Sequence, residues 1–236
     1  MYPYGYGYGY PFFDPTMIIL IPAIIFTMYA QFKVSSTTSR FLRVNTYRGY
    51  TGERTARAIL DSNGLYNVSI EMVRGHLSDH YDPRSKILRL SQDVYYGTSI
   101  TSVAVAAHEC GHAIQHAKGY APLNLRSGLV PIVNFTSNAS WFLMGIGLFL
   151  QRGLFLKIGI LLFSASVLFQ IITLPVEFNA SSRAIVQLEN LGIVEGKELR
   201  QSRSVLNAAA LTYVAAALTS VLQLLRLLAI AQRDND

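Results

Sequence analysis

The segment Ile158-Gly-Ile-Leu-Leu-Phe-Ser-Ala-Ser-Val-Leu-Phe-Gln-Ile-Ile-Thr-Leu-Pro-Val176 contains nineteen residues and no charged side chain. As a helix rising about 1.5 Å per residue it covers roughly 28 Å, close to the hydrocarbon thickness of a bilayer. Alone, such a run fits a buried core helix as well as a membrane span. Three further stretches decide between them. Met17–Phe32 has sixteen uncharged residues around Pro22, and Ser127–Leu150 has twenty-four, with Pro131, Asn134 and Asn138 among them. Ser204–Leu225 has twenty-two, followed by Arg226 and a second apolar run, Leu-Leu-Ala-Ile-Ala. Four such stretches in 236 residues, rich in glycine and other small residues, point to a polytopic membrane protein.

Composition agrees. Only 14% of residues are charged, against about 25% in a soluble domain, while the high apolar and aromatic content excludes a disordered chain. The net charge of +6 suits either nucleic acid or a membrane surface until it is divided by segment. Sixteen of the twenty basic residues fall in Lys33–Arg126 and Glu177–Arg203. No Lys or Arg precedes the first span, whereas Lys33, Arg40, Arg43 and Arg48 follow it. The positive-inside rule then puts the N-terminus outside and both basic segments in the cytoplasm. Arg152 and Lys157, in the outer loop, run mildly against this. With the charge explained by orientation, a nucleic acid partner is not needed, and the lipid bilayer is the expected surroundings.

The expected organisation is a Tyr/Gly leader at 1–16, a first transmembrane helix at 17–32 and a cytoplasmic α+β portion at 33–126. A helical hairpin at 127–176, a cytoplasmic helix and loop at 177–203 and a fourth transmembrane helix at 204–232 complete it. The leader carries Asp14 and no basic residue, the wrong pattern for a signal peptide, so the first span reads as retained. Within the soluble portion, Thr51-Gly-Glu-Arg-Thr caps a short helix that stops at Asn63-Gly64. Asn67–Val73 reads as a strand, and a turn-rich His80-Tyr-Asp-Pro-Arg-Ser-Lys86 leads into Ile87-Leu88-Arg89-Leu90-Ser91, which alternates as an edge strand does. From Thr98 to Lys118 the pattern is helical.

That last helix carries His108-Glu109-Cys110-Gly111-His112. Residues four apart share a helix face, so both histidines can present a nitrogen to one metal ion, with Glu109 placed to take a proton from an attacking water. Cys110 faces away as a packing residue; as the single cysteine it excludes an intrachain disulfide and a CxxC site. A catalytic zinc site needs a third protein ligand. Gln115 and Lys118 stand where a metzincin has its glycine and third histidine. No acidic residue follows Glu109 until Glu177. Two spans separate His112 from Glu177, which returns Glu177 to the same membrane face. His116 lies about 12 Å along the axis from His108, too far to bind the same ion, and is a wall residue or an orienting one. His80, Asn179 and Arg183 are further candidates for hydrogen-bonding a ligand or a developing oxyanion.

Several motifs occur together: Thr-Gly-Glu…Ala-Arg-Ala-Ile-Leu, Leu-Ser-Asp-His-Tyr-Asp-Pro-Arg-Ser-Lys-Ile-Leu-Arg-Leu-Ser, Val-Ala-Ala-His-Glu-Cys-Gly-His-Ala-Ile-Gln and Leu-Pro-Val-Glu-Phe-Asn-Ala-Ser. From Phe13 to about Tyr213 the chain resembles the YugP-type neutral zinc metallopeptidases, bacterial membrane proteins related to the gluzincins and to the HtpX/CAAX-type membrane proteases. The resemblance implies a mainly α, polytopic fold with about four transmembrane helices and a small gluzincin-like α+β portion. It implies one Zn2+ per chain held by His108, His112 and Glu177, Glu109 as catalytic base, and Ile87–Ser91 as an edge strand that pairs with substrate. The HtpX-type enzymes carry an Asp four residues after the ligand Glu, where this chain has Ser181. The function so implied is a zinc endopeptidase of the bacterial cytoplasmic membrane, cutting membrane or membrane-proximal proteins on the cytoplasmic side. The alternative is a zinc-stabilised scaffold that binds partners without turnover. Neither pattern nor resemblance gives an oligomeric state.

Overall fold

The computed structural model describes residues 15–75, 78–150 and 153–233. Most of the leader and part of the outer loop, including Arg152, lie outside the described residues. A 3-10 turn, Pro15–Leu20, leads into α1 (Ile21–Leu42), followed by α2 (Gly52–Ser62), β1 (Ser69–Val73), β2 (His80–Asp82) and β3 (Ile87–Ser91). A single turn, α3 (Gln92–Tyr95), precedes α4 (Ile100–Ala117), α5 (Ala121–Phe149), α6 (Gly153–Asn190) and α7 (Gly196–Arg233). Among the described residues four helices, Pro15–Leu42, Ala121–Gly147, Gly153–Asn190 and Gly196–Gln232, are long and apolar enough to cross a membrane. Along α1 the apolar Ile25, Met28 and Phe32 are exposed, as a lipid-facing helix requires.

Local chemistry sets the ends of the soluble elements. Thr51 accepts a hydrogen bond from the Arg54 amide at 3.1 Å, so α2 starts where the capping pattern puts it. It stops at Asn63, with Gly64 at φ +72°, a left-handed position that glycine takes without strain. Ser99 caps α4 by accepting from the Ser102 amide at 3.0 Å. Just before it, the Thr46 amide donates to Thr98 O and the Ile100 amide to Val44 O, each at 2.9 Å. The start of α4 is thereby fastened to the end of the first span. Ile59, Leu60, Leu88, Leu90, Ile100 and Val103 are fully buried between α2, the sheet and α4.

The sheet overturns one expectation. Its strand order is β1-β3-β2, with β3 parallel to β1 and antiparallel to β2. Ile87–Ser91 is therefore the central strand, hydrogen-bonded on both sides, and has no edge to offer a substrate. The turn explains why. Asp82 accepts from the Arg84 amide at 2.9 Å and from the Ser85 hydroxyl at 2.6 Å, and Lys86 takes φ +55°. This tight reversal folds β2 back onto β3. The alternation of β3 reflects the core beneath it, with Leu88 and Leu90 at 0% exposure.

The helices also outrun their uncharged segments. The first span continues as helix to Leu42 and the fourth begins at Gly196. The third does not end at Pro175: α6 runs unbroken from Gly153 to Asn190, with Pro175 inside it. Glu177 therefore sits within a helix that begins as a membrane span. Close small-residue contacts hold the hairpin together. A Cβ on Gly159 would meet Met144 Cγ at 2.5 Å, and one on Gly147 would meet Leu156 N at 2.6 Å.

Candidate metal centre

Gly111 makes the site possible. A Cβ there would meet Ala180 O at 2.4 Å and Ala180 C and Cα at 3.0 Å, so α4 and α6 touch backbone to backbone at this point. Gly111 stands next to His112 and one turn from His108; Ala180 lies one turn from Glu177. One contact thus brings together side chains far apart in the sequence. Glu177 Oε2 lies 3.3 Å from His108 Nε2 and 3.6 Å from His112 Nε2. One donor atom from each residue lies within 4.8 Å of the other two. The His108 and His112 rings meet edge to face, with centroids 4.8 Å apart.

The far side of each ligand is anchored. His112 Nδ1 is 3.0 Å from Gln115 Oε1, while Gln115 Nε2 donates to Val176 O at 2.7 Å and to Asn179 Oδ1 at 3.0 Å. A carbonyl only accepts, so the amide orientation is fixed and Gln115 Oε1 must accept from His112 Nδ1–H. That leaves the His112 Nε2 lone pair for a metal. Arg183 Nε donates to Asn179 Oδ1 at 2.7 Å and its guanidinium lies over the Tyr120 ring, steadying this chain of bonds. His108 Nδ1 is 3.1 Å from Ser181 Oγ. Arg126 Nη1 donates to Glu177 Oε1 at 3.0 Å.

Glu177 is only 2% exposed, and its second oxygen, Oε2, has no hydrogen-bond partner. A buried carboxylate oxygen without a donor is unfavourable unless a cation meets it. Here that oxygen faces two imidazole nitrogens. A two-histidine, one-carboxylate donor set suits zinc and leaves a coordination position open for chemistry. The residues fit the ion.

The remaining candidates lie outside this three-residue cluster. His116 Nδ1 pairs with the Tyr81 hydroxyl at 2.9 Å, tying β2 to α4. Asn179 and Arg183 reach His112 only through Gln115. His80 is exposed, with Nδ1 2.8 Å from Ser78 O, and lines the open side of the site. Of Ile87, Leu88, Arg89, Leu90 and Ser91, only Ser91 connects to the site, through Asp79. Its amide donates to Asp79 Oδ1 at 2.7 Å. Burial pushes the Asp79 carboxyl above its ordinary value, partly offset by the Ser91 hydrogen bonds. Burial also raises the Cys110 thiol well above its ordinary range; it points away from the site, toward Ala56 O at 3.6 Å.

Two cavities adjoin the cluster, of about 180 and 240 Å3, and His108, Glu109, Glu177, Asp79 and Tyr213 line both. Glu109 is 8% exposed and stands where they meet. Sequence reading missed Gln115, Arg126, Tyr213 and Asp79 as parts of this centre, and noted Ser181 only as a departure from the HtpX-type Asp. Ser181 had a signal, its position one turn after Glu177; Tyr213 had a weaker one, as the only tyrosine in the fourth uncharged stretch. Arg126 had none, because its partner is 51 residues away.

Residues 16–232 match the family described as "Putative neutral zinc metallopeptidase". The "Putative membrane protease YugP" of Bacillus subtilis (strain 168) is 48% identical over 220 residues, covering 93% of this chain and 98% of that protein. No solved structure is significantly similar. With most of its length matched and a two-histidine, one-carboxylate cluster at its centre, the chain belongs to this family of neutral zinc metallopeptidases.

Proposed function

We propose that the protein is a membrane-embedded zinc endopeptidase that hydrolyses peptide bonds of membrane or membrane-proximal proteins at the cytoplasmic face. The observation that carries this reading is the buried, unbonded Glu177 Oε2 facing His108 Nε2 and His112 Nε2, with the Glu109 carboxylate beside them. Zinc, when bound, supplies Lewis acidity toward water and toward the scissile carbonyl. The chain's residues supply the rest. Glu109 takes the proton of the attacking water and returns it to the leaving amine nitrogen. Gln115 and Ser181 hold the histidine rings, and Arg126 holds the Glu177 carboxylate with one oxygen turned inward. Because β3 is paired on both sides, an extended substrate pairs instead with β2, the sheet edge that forms a wall of the larger cavity.

The test is zinc content together with proteolysis in detergent or vesicles. Wild type is expected to carry one zinc per chain and to cleave unfolded casein. Glu109→Gln is expected to keep the zinc and lose at least about a hundredfold in rate. Undiminished cleavage by Glu109→Gln would remove Glu109 from the mechanism. Accessibility of single cysteines introduced at Lys86 and Lys157 tests the cytoplasmic placement; labelling of the first from outside intact cells would reverse it.

A further inference from the structure

The two cavities beside the metal ligands differ in chemistry. The larger, at about 240 Å3, is lined by His80 and Tyr81 of β2 and by Arg126. The smaller, at about 180 Å3, also borders Glu109; Val34 of α1, Val105 of α4, and Val205, Leu206 and Ala209 of α7 form the apolar part of its lining, beside Thr38 and Ser181. Val205 and Leu206 are buried. Ala208, Ala209 and Ala210 follow one another on α7, and the short side chain of Ala209 leaves the chamber open. Glu109 and His108 border both spaces, so a residue seated in the apolar chamber adjoins the bond that the reacting groups reach.

We infer that this chamber is a specificity pocket for one large apolar side chain, of leucine, methionine or phenylalanine size, flanking the cleaved bond. The inference rests on the peptidase reading above and names its substrate class. Size supports it: an apolar cavity of about 150 Å3 admits benzene, so one of about 180 Å3 admits a phenyl ring or a branched chain of four carbons. Polarity supports it too: Val34, Val105, Val205, Leu206 and Ala209 give the chamber a mostly apolar lining, and an acidic side chain entering it would lose its water and face the carboxylates of Asp79, Glu109 and Glu177. The polar cavity takes the substrate backbone, and the apolar one selects the residue. Each methylene that fills such a pocket shifts kcat/KM by about tenfold or more.

The experiment digests a randomised peptide library with zinc-loaded protein and maps the cleaved bonds by mass spectrometry. Phe and Ala versions of one resulting substrate are then compared in wild type and in Ala209→Leu. Wild type is expected to prefer Phe over Ala by at least about tenfold, and Ala209→Leu to reduce or invert that ratio. A ratio taken within one preparation does not depend on how much of the variant folds. Affinity of the uncleaved peptides for the Glu109→Gln protein, by calorimetry, gives a second readout without turnover and is expected to show the same ranking. Cleavage with no apolar enrichment, or an enrichment unchanged by Ala209→Leu, overturns the pocket and leaves the peptidase standing. Absence of any zinc-dependent cleavage overturns the peptidase reading, and the pocket with it.

Discussion

Replacing Gly111 with alanine probes the contact on which the metal centre depends. The added Cβ would lie 2.4 Å from Ala180 O, and a relaxed contact needs about 3.4 Å, so α4 and α6 must separate by about 1 Å locally. The obstruction is backbone on a neighbouring helix, not a side-chain end that could rotate away. Alanine is the better helix former by about 0.8–1.0 kcal/mol, which favours the variant. Overpacking a close contact typically costs 1–3 kcal/mol, so the expected net effect is a loss of about 1 kcal/mol. The metal suffers more than the fold. His108 and His112 ride on α4 and Glu177 on α6, and zinc tolerates departures of only about 0.2 Å in ligand distance. A shift of about 1 Å is expected to lower zinc affinity by at least about a hundredfold, measured by competition with a chromophoric chelator. Thermal melting of the metal-free protein reports the fold separately. Wild-type zinc affinity in Gly111→Ala would refute the reasoning, since it would mean that the ligands are positioned by something other than this contact.

Other outcomes follow from the same geometry. Gln115→Leu removes the acceptor of His112 Nδ1–H and the donor to Val176 O and Asn179 Oδ1, so zinc affinity is expected to fall about 10–100-fold in the same chelator competition. Ser181→Ala acts on His108 alone and is expected to have a smaller effect than Gln115→Leu. Asp79 has its carboxyl raised by burial, so the fold disfavours its ionised form. Stability from this group is present in full below its ordinary value and is lost as pH rises through the raised one. Melting of the metal-free wild type relative to Asp79→Asn is therefore expected to improve as pH falls from neutral toward 4, and a flat difference would count against the buried carboxylate. Cys110 is fully buried with its thiol pushed up, so iodoacetamide is expected to modify it only after denaturation, as read by intact mass.

How much of this was legible in the sequence depends on the range of the force involved. The number of long apolar helices, the caps and the face shared by His108 and His112 follow from desolvation and helix period, which act over a few residues, and these agree with the structure, whereas the helix ends do not. Glu177 could be nominated because acidic residues are absent for a long interval before it. The edge strand failed because alternation records that one face is buried and says nothing of how many neighbours a strand has. That depended on a three-residue β2 too short to leave a pattern. Gln115, Ser181 and Arg126 orient ligands through partners 51 to 73 residues away, and only the packing of α4 on α5 and α6 brings those pairs together. Gly111 was in plain view inside the motif, yet its reason is a carbonyl on another helix.

The unbroken course of α6 also orders events during biosynthesis. A nascent chain that has emerged only through α5 carries both histidines and Glu109 but no carboxylate to complete the cluster. Glu177 arrives on the C-terminal half of a helix that begins as a membrane span, so the cluster can assemble only after α5 and α6 have paired and α4 has docked. A ribosome-bound intermediate ending before α6 consequently holds two of the three residues of the cluster, and the third joins only when the second arm of the apolar α5–α6 hairpin follows.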